Sequence, residues 1–249
     1  MTPHCRHVLR LADTNLVLAQ RLGEWVGHAP ALEEDLGLAN VSLDLLGQAR
    51  MLLTHAGELE GRGRGEDELA YLREQSDCLN LTLVEQPNGD FAQTIVRQVL
   101  FDAWQAELCA GLAHSMDGKL AAISAKAAKE CSYHLRYSSG WLIRLGDGTA
   151  ESHDRAQAAL ARLWPFTNEL FDADDVDRAV AAAGIAPAPE TLADGWSRRI
   201  DGVLAEASLE RPPPASFGWY GKQGRHGEHL GYLLAEMQSL HRAHPGATW

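Results

Sequence analysis

Glu130-Cys131-Ser132-Tyr133-His134 is the stretch on which the reading of this chain turns. In helical bundles that bind two irons through carboxylates, a helix supplies Glu-x-x-His, with acid and imidazole three residues apart. Here Tyr133 stands in the imidazole's place and His134 comes one residue late. Either the metal site has been remodelled, which would make the chain an oxygenase, or it has been lost, which would make it the partner of one.

The surrounding pattern is helical nearly throughout. Apolar residues recur at helical intervals from Val8 to Val26 and again from Ala31 to Glu58, with Pro30 in a favourable starting position. The second of these segments is apolar almost all round (Leu36, Leu38, Val41, Leu43, Leu45, Leu46, Leu52), which predicts a central, buried helix. A short helix is expected over Glu66–Gln75, and a brief extended piece near Val84. After the turn Pro87-Asn88-Gly89, Asp90 is positioned to cap a long helix from Phe91 to about Met116, and another runs from Leu120 to Leu145. Further helices are expected near 152–163, 174–183, 190–207 and 226–244, with an irregular stretch around Pro212-Pro213-Pro214. The fold class is therefore all-α: a ferritin-like four-helix bundle (core about 5–146) with additional C-terminal helices (about 150–249), read as a single domain.

Three bundle helices carry an acid on or beside a core-facing arc. On the fourth long helix Leu120, Ile123, Ala127, Cys131, Leu135, Ser138, Leu142 and Leu145 share one arc, with His134 inside it, Glu130 at its edge, and Lys126, Tyr133 and Tyr137 just beyond. Asp102 on the third helix and Asp44 on the second project similarly. Buried acids are costly unless paired, hydrogen-bonded or metal-bound. The imidazole count argues against metal. None of the 11 histidines follows an acid by three residues, and Gly47 holds the paired position after Asp44. Lys126, one turn before Glu130, can neutralise it. The expectation is a relic of a metal centre (Asp44, Asp102, Glu130, Tyr133, His134) with Lys126 as ion-pair partner, and no catalytic, cofactor-binding or metal residue in this chain. The alternatives are an independent metalloenzyme with a remodelled di-iron or mononuclear site around Glu130 and His134, and a metal-free bundle that holds a small molecule in its core. His226 and His229 flank Glu228 but lack H-E-x-x-H spacing, and are expected to be structural or surface residues.

Composition narrows the function classes. A net charge of −12 with no basic run disfavours nucleic acid. No apolar run reaches a membrane-spanning length and no signal peptide is visible, so a cytoplasmic location is expected. The 4 cysteines are scattered without C-x-x-C, as in a reduced compartment. There is no G-x-S-x-G elbow, Walker loop or dinucleotide fingerprint, and Gly221-Lys222-Gln223-Gly224 is too generic for a phosphate site.

Several blocks resemble one family: Arg21-Leu-Gly-Glu-Trp25, Asp44-Leu-Leu-Gly-Gln-Ala-Arg50, Leu83-Val-Glu-Gln-Pro-Asn-Gly89, Ala121-Ala-Ile-Ser-Ala-Lys126, Phe171-Asp-Ala-Asp174, Glu228-His-Leu-Gly231 and Ala235-Glu-Met-Gln238. They are similar to the C subunits of the bacterial ring 1,2-phenylacetyl-CoA epoxidase, the structural, non-catalytic subunits of that monooxygenase, over Leu9 to Trp249. The resemblance implies a ferritin-like fold with a degenerate di-iron centre. It implies a tight complex with a catalytic A subunit that holds the iron and the phenylacetyl-CoA. It further implies other small subunits and a reductase that carries electrons from NADPH through FAD and an iron–sulfur cluster. Whether the lone chain forms a homodimer is left open.

Overall fold

The computed structural model describes residues 1–247; Thr248 and Trp249, the end of the resemblance, lie outside the described residues. Ten α-helices and no strand occur among them: α1 (Pro3–Gly23), α2 (Leu32–Glu60), α3 (Glu66–Tyr71), α4 (Thr82–Glu85), α5 (Phe91–Leu112), α6 (Gly118–Gly146), α7 (Ala150–Leu163), α8 (Asp175–Ala182), α9 (Ala193–Glu206) and α10 (His229–Ala243). The all-α, ferritin-like class is as expected. Among the described residues no helix is long and apolar enough to cross a membrane.

The helix starts follow local chemistry. Asp90 accepts a hydrogen bond from Gln93 N (2.9 Å), Asp117 from Lys119 N, Thr149 from Ser152 N and Asp174 from Val176 N, each supplying an acceptor to amides the first turn leaves unpaired. Gly61 closes α2 in the left-handed region (φ 68°), where a side chain would be strained. Two local expectations are corrected. Pro30 does not open α2: the helix begins at Leu32, behind an extended Ala31. Val84 is not extended: it lies in the one-turn helix α4, between extended Leu81 and Gln86.

The chain forms two compact units, residues 1–87 with 220–249, and residues 88–219. The first is built on the hairpin α1/α2. The pairs Cys5–Ala56, Asn15–Gln48 and Ala19–Ser42 run in opposite directions along the two helices, so the hairpin is antiparallel. Leu9, Leu18, Leu22, Leu38, Leu45 and Leu53 are among its buried side chains, each contributing about 1.5–3 kcal/mol of burial. The C-terminal segment returns to this unit. Its loop passes Gly221, where a Cβ would collide with Asn80 O, and α10 docks through Gln238 Nε2, which donates to the carbonyls of Ala70 and Arg73.

The second unit is built on the antiparallel hairpin α5/α6, with Cys109 opposite Cys131 and Asp102 opposite Ser138. Helices α7 and α9 pack on it around an aromatic cluster in which Trp196 meets Trp164 (ring centroids 5.5 Å apart) and Phe171 (5.1 Å). Trp196 Nε1 donates to Leu100 O at 2.9 Å, satisfying a polar atom that burial would otherwise leave unpaired. Arg211, just before the triple proline, lies over the Trp164 ring and donates to Ser197 Oγ and Asp201 Oδ1. The proline stretch is thereby pinned at its start.

Candidate functional site: the polar seam of the α5/α6 hairpin

Most of the sequence arc of α6 is the observed buried face: Leu120, Ile123, Ala127, Cys131, His134, Ser138 and Leu142 are buried, while Leu135 and Leu145, expected on the same arc, are half-buried. Across from it, α5 presents Asp102, which is 1% exposed, and Cys109. The hydroxyl of Ser138 donates to Asp102 Oδ2 at 2.7 Å, while Oδ1 accepts no hydrogen bond among the described residues. Burial pushes the Asp102 carboxyl up to about 6, a rise that the nearby His134 and the Ser138 hydrogen bond only partly counter. Two turns along, the Cys109 and Cys131 sulfurs lie 3.6 Å apart as free thiols. Their mutual hydrogen bond, then burial, hold the Cys131 thiol far above the ordinary range, so it is an inert packing group.

Asp102 and His134 are thus brought together in the core. Ser138 is the member of this site that sequence reasoning missed; its place on the core arc was the available signal. The other candidates lie at the edge of this face or on another helix. Glu130 is half-buried at the edge of α6, and Asp44 is half-buried on α2. Tyr133 is 39% exposed; its ring stacks on Tyr137 and touches the edge of His134. The ion-pair role expected of Lys126 is corrected: the residue is exposed and makes no ion pair among the described residues. It does follow the Glu130 side of the helix, but that flank faces solvent, where an ammonium gains little from a neighbouring acid.

A di-iron centre of the ferritin type needs a carboxylate from each of two helices and a Glu-x-x-His from each of two others. The residues present do not fit that set. The buried acid is tied to a serine hydroxyl, one imidazole is buried beside it, and Asp102, Glu130 and His134 do not gather their ligating atoms within 4.8 Å of one another. No chemical step is derived through such a centre in this chain.

Two further polar clusters lie inside the first unit. Asp13 and Arg73, both buried, form an ion pair in which Asp13 Oδ2 also accepts from Leu79 N at 2.8 Å. The fully buried Glu85 accepts from Gly227 N, Asn80 Nδ2 and the His226 ring, whose other nitrogen donates to Cys78 O. His226 is therefore structural: it fastens the C-terminal segment to the stretch before α5. His229 is half-buried, and its backbone carbonyl accepts from Arg21.

The helical order, the two long hairpins and a buried acid on a bundle helix define an all-α protein of ferritin-like class, and the chain belongs to the phenylacetic acid catabolic protein family, whose model matches residues 1–249. It is 54% identical over 243 residues to the C subunit of 1,2-phenylacetyl-CoA epoxidase from Escherichia coli (strain K12), a match that covers 98% of each chain.

Proposed function

We propose that this protein is the structural, non-catalytic subunit of a multicomponent phenylacetyl-CoA 1,2-epoxidase in aerobic phenylacetate degradation, working in the cytoplasm. Its role is to bind and stabilise a di-iron catalytic A subunit, alongside smaller subunits and a reductase that uses NADPH, FAD and an iron–sulfur cluster. The observation that carries the reading is the end-to-end likeness to a protein named as the C subunit of that enzyme. The seam of the α5/α6 hairpin supports the non-catalytic part, because Asp102 faces a serine hydroxyl and one imidazole where a di-iron site would present further carboxylates.

The test mixes the purified chain with its catalytic A subunit. A complex that stays intact on gel filtration at micromolar concentration is the expected result, and iron analysis should place the metal in the A subunit alone. Independent elution of the two chains overturns the role in assembly. A di-iron complement in the isolated chain overturns the non-catalytic assignment.

A further inference from the structure

Helix α6 carries on its solvent side what the rest of the chain lacks. The chain has 34 acids against 22 lysines and arginines, and only 4 of these are lysines. Lys119, Lys126 and Lys129 are on α6, together with Arg136 and Arg144, and Glu130 is the helix's one acid. Lys126, Lys129, Tyr133, Arg136, Gly140 and Arg144 follow one another at spacings of 3, 4, 3, 4 and 4, so they form one row on the side away from the buried seam. All are exposed except the half-buried Gly140, where a Cβ would meet nothing within 4 Å. The row is about 27 Å long.

Exposed cations by themselves only keep a surface wet. Elsewhere in this protein, however, exposed arginines are matched by acids: Arg155 by Glu151 at 2.6 Å, Arg178 by Asp175 at 2.7 Å and Arg199 by Glu107 at 2.7 Å. Lys126, Lys129, Arg136 and Arg144 make no ion pair among the described residues. Arg136 lies over the Tyr133 ring (5.6 Å to the centroid) and Arg144 over that of Trp141 (5.2 Å), contacts that orient a guanidinium without cancelling its charge. Four uncompensated cations thus stand in a row on an acidic protein.

We propose that this row is the docking surface for another protein subunit, whose matching face is acidic and receives Tyr133 between its carboxylates. The charges select the occupant. A second copy meeting the row about a two-fold axis sets it against itself, like charge on like charge. Nucleic acid and anionic bilayers extend their charge far past the row, onto a chain whose net charge is −12. A folded partner with a local acidic face meets the four cations and avoids the rest. Tyr133, exposed at the centre of the row, is an aromatic anchor of the kind such interfaces favour.

The proposal rests on the reading of the chain as an epoxidase component, so the probes are the purified A subunit, the smaller subunits and the reductase, each titrated against the immobilised chain. The wild type should bind at least one of them with an affinity that weakens as salt rises from about 50 to 300 mM. Lys129→Glu with Arg136→Glu should lower that affinity about 30-fold or more at low salt, and the neutral pair Lys129→Gln with Arg136→Gln should lower it less. Both pairs alter exposed side chains and should keep the helical circular dichroism and Tm of the wild type. Arg62→Glu with Arg198→Glu, exposed and off the row, changes the net charge equally and should cost less than about 3-fold. Unchanged affinity for every subunit after the α6 reversal, or an equal loss in the Arg62/Arg198 pair, overturns the docking surface and leaves the reading as an epoxidase component intact. A wild type that binds none of the subunits overturns that reading, and the surface with it. Binding to anionic vesicles or duplex DNA that the α6 reversal abolishes, or a homodimer that it dissolves, makes a different occupant of the row and overturns the proposal.

Discussion

Two buried aspartates, Asp13 of α1 and Asp102 of α5, solve the same problem in opposite ways. Asp13 is met by the Arg73 guanidinium, with Arg73 Nη1 at 2.9 Å from Oδ2, and accepts a backbone amide as well. Asp102 is met by one hydroxyl and has an imidazole nearby, and its proton affinity rises. The first acid is compensated as an ion pair, and the second lowers its desolvation cost by holding a proton more tightly. What separates them is the chemistry that folding brings to each, since both sit in helical, mostly apolar surroundings.

The contrast is open to direct attack. Asp13→Asn leaves Arg73 buried without its counter-charge, and should destabilise the protein by about 3–5 kcal/mol, read by urea unfolding. A near-wild-type midpoint would break the claim that Asp13 is compensated by a full ion pair. Asp102→Asn should act in the other direction. The folded carboxyl titrates near 6 against an ordinary 3.8, so the folded state binds that proton more tightly than the unfolded chain does. The stability contributed by that tighter binding is fully present below the unfolded value and is lost as pH rises through the folded one. At pH 7.5 the buried charge then opposes folding by at most about 3 kcal/mol. The amide should relieve part of this while its oxygen still accepts from Ser138, and the gain should shrink steadily as pH falls from 6 to 4. A variant less stable than wild type at pH 7.5 would show that Asp102 is held as an anion by a compensating charge. The smallest effect is expected of Lys126→Ala, which should move Tm by less than about 2 °C because the residue is exposed. A larger drop in a thermal melt would restore the ion pair with Glu130.

Much of this was legible before folding was considered. The period of Leu120, Ile123, Ala127, Cys131 and Leu142 gave the buried face of α6, and Asp90 was recognisable as a cap because its acceptor lies three residues from the amide it serves. Lys126 and α2 were misread for one reason. A helical wheel ranks sides of a helix, but whether a flank is covered depends on elements distant in sequence. The apolar girdle of α2 predicted complete burial, and the structure corrects this: Leu36 and Leu43 are exposed.

The sequence by itself determined the helices, most of their ends, the likeness to one family and the absence of a two-fold acid-x-x-His pattern, because these depend on local spacing. Only the tertiary structure decided which buried groups answer one another: Ser138 for Asp102, Arg73 for Asp13, and His226 for Glu85 across 141 residues of chain. Hydrogen bonds and ion pairs act over a few ångströms in space, and the sequence carries no distance between residues that only folding brings side by side.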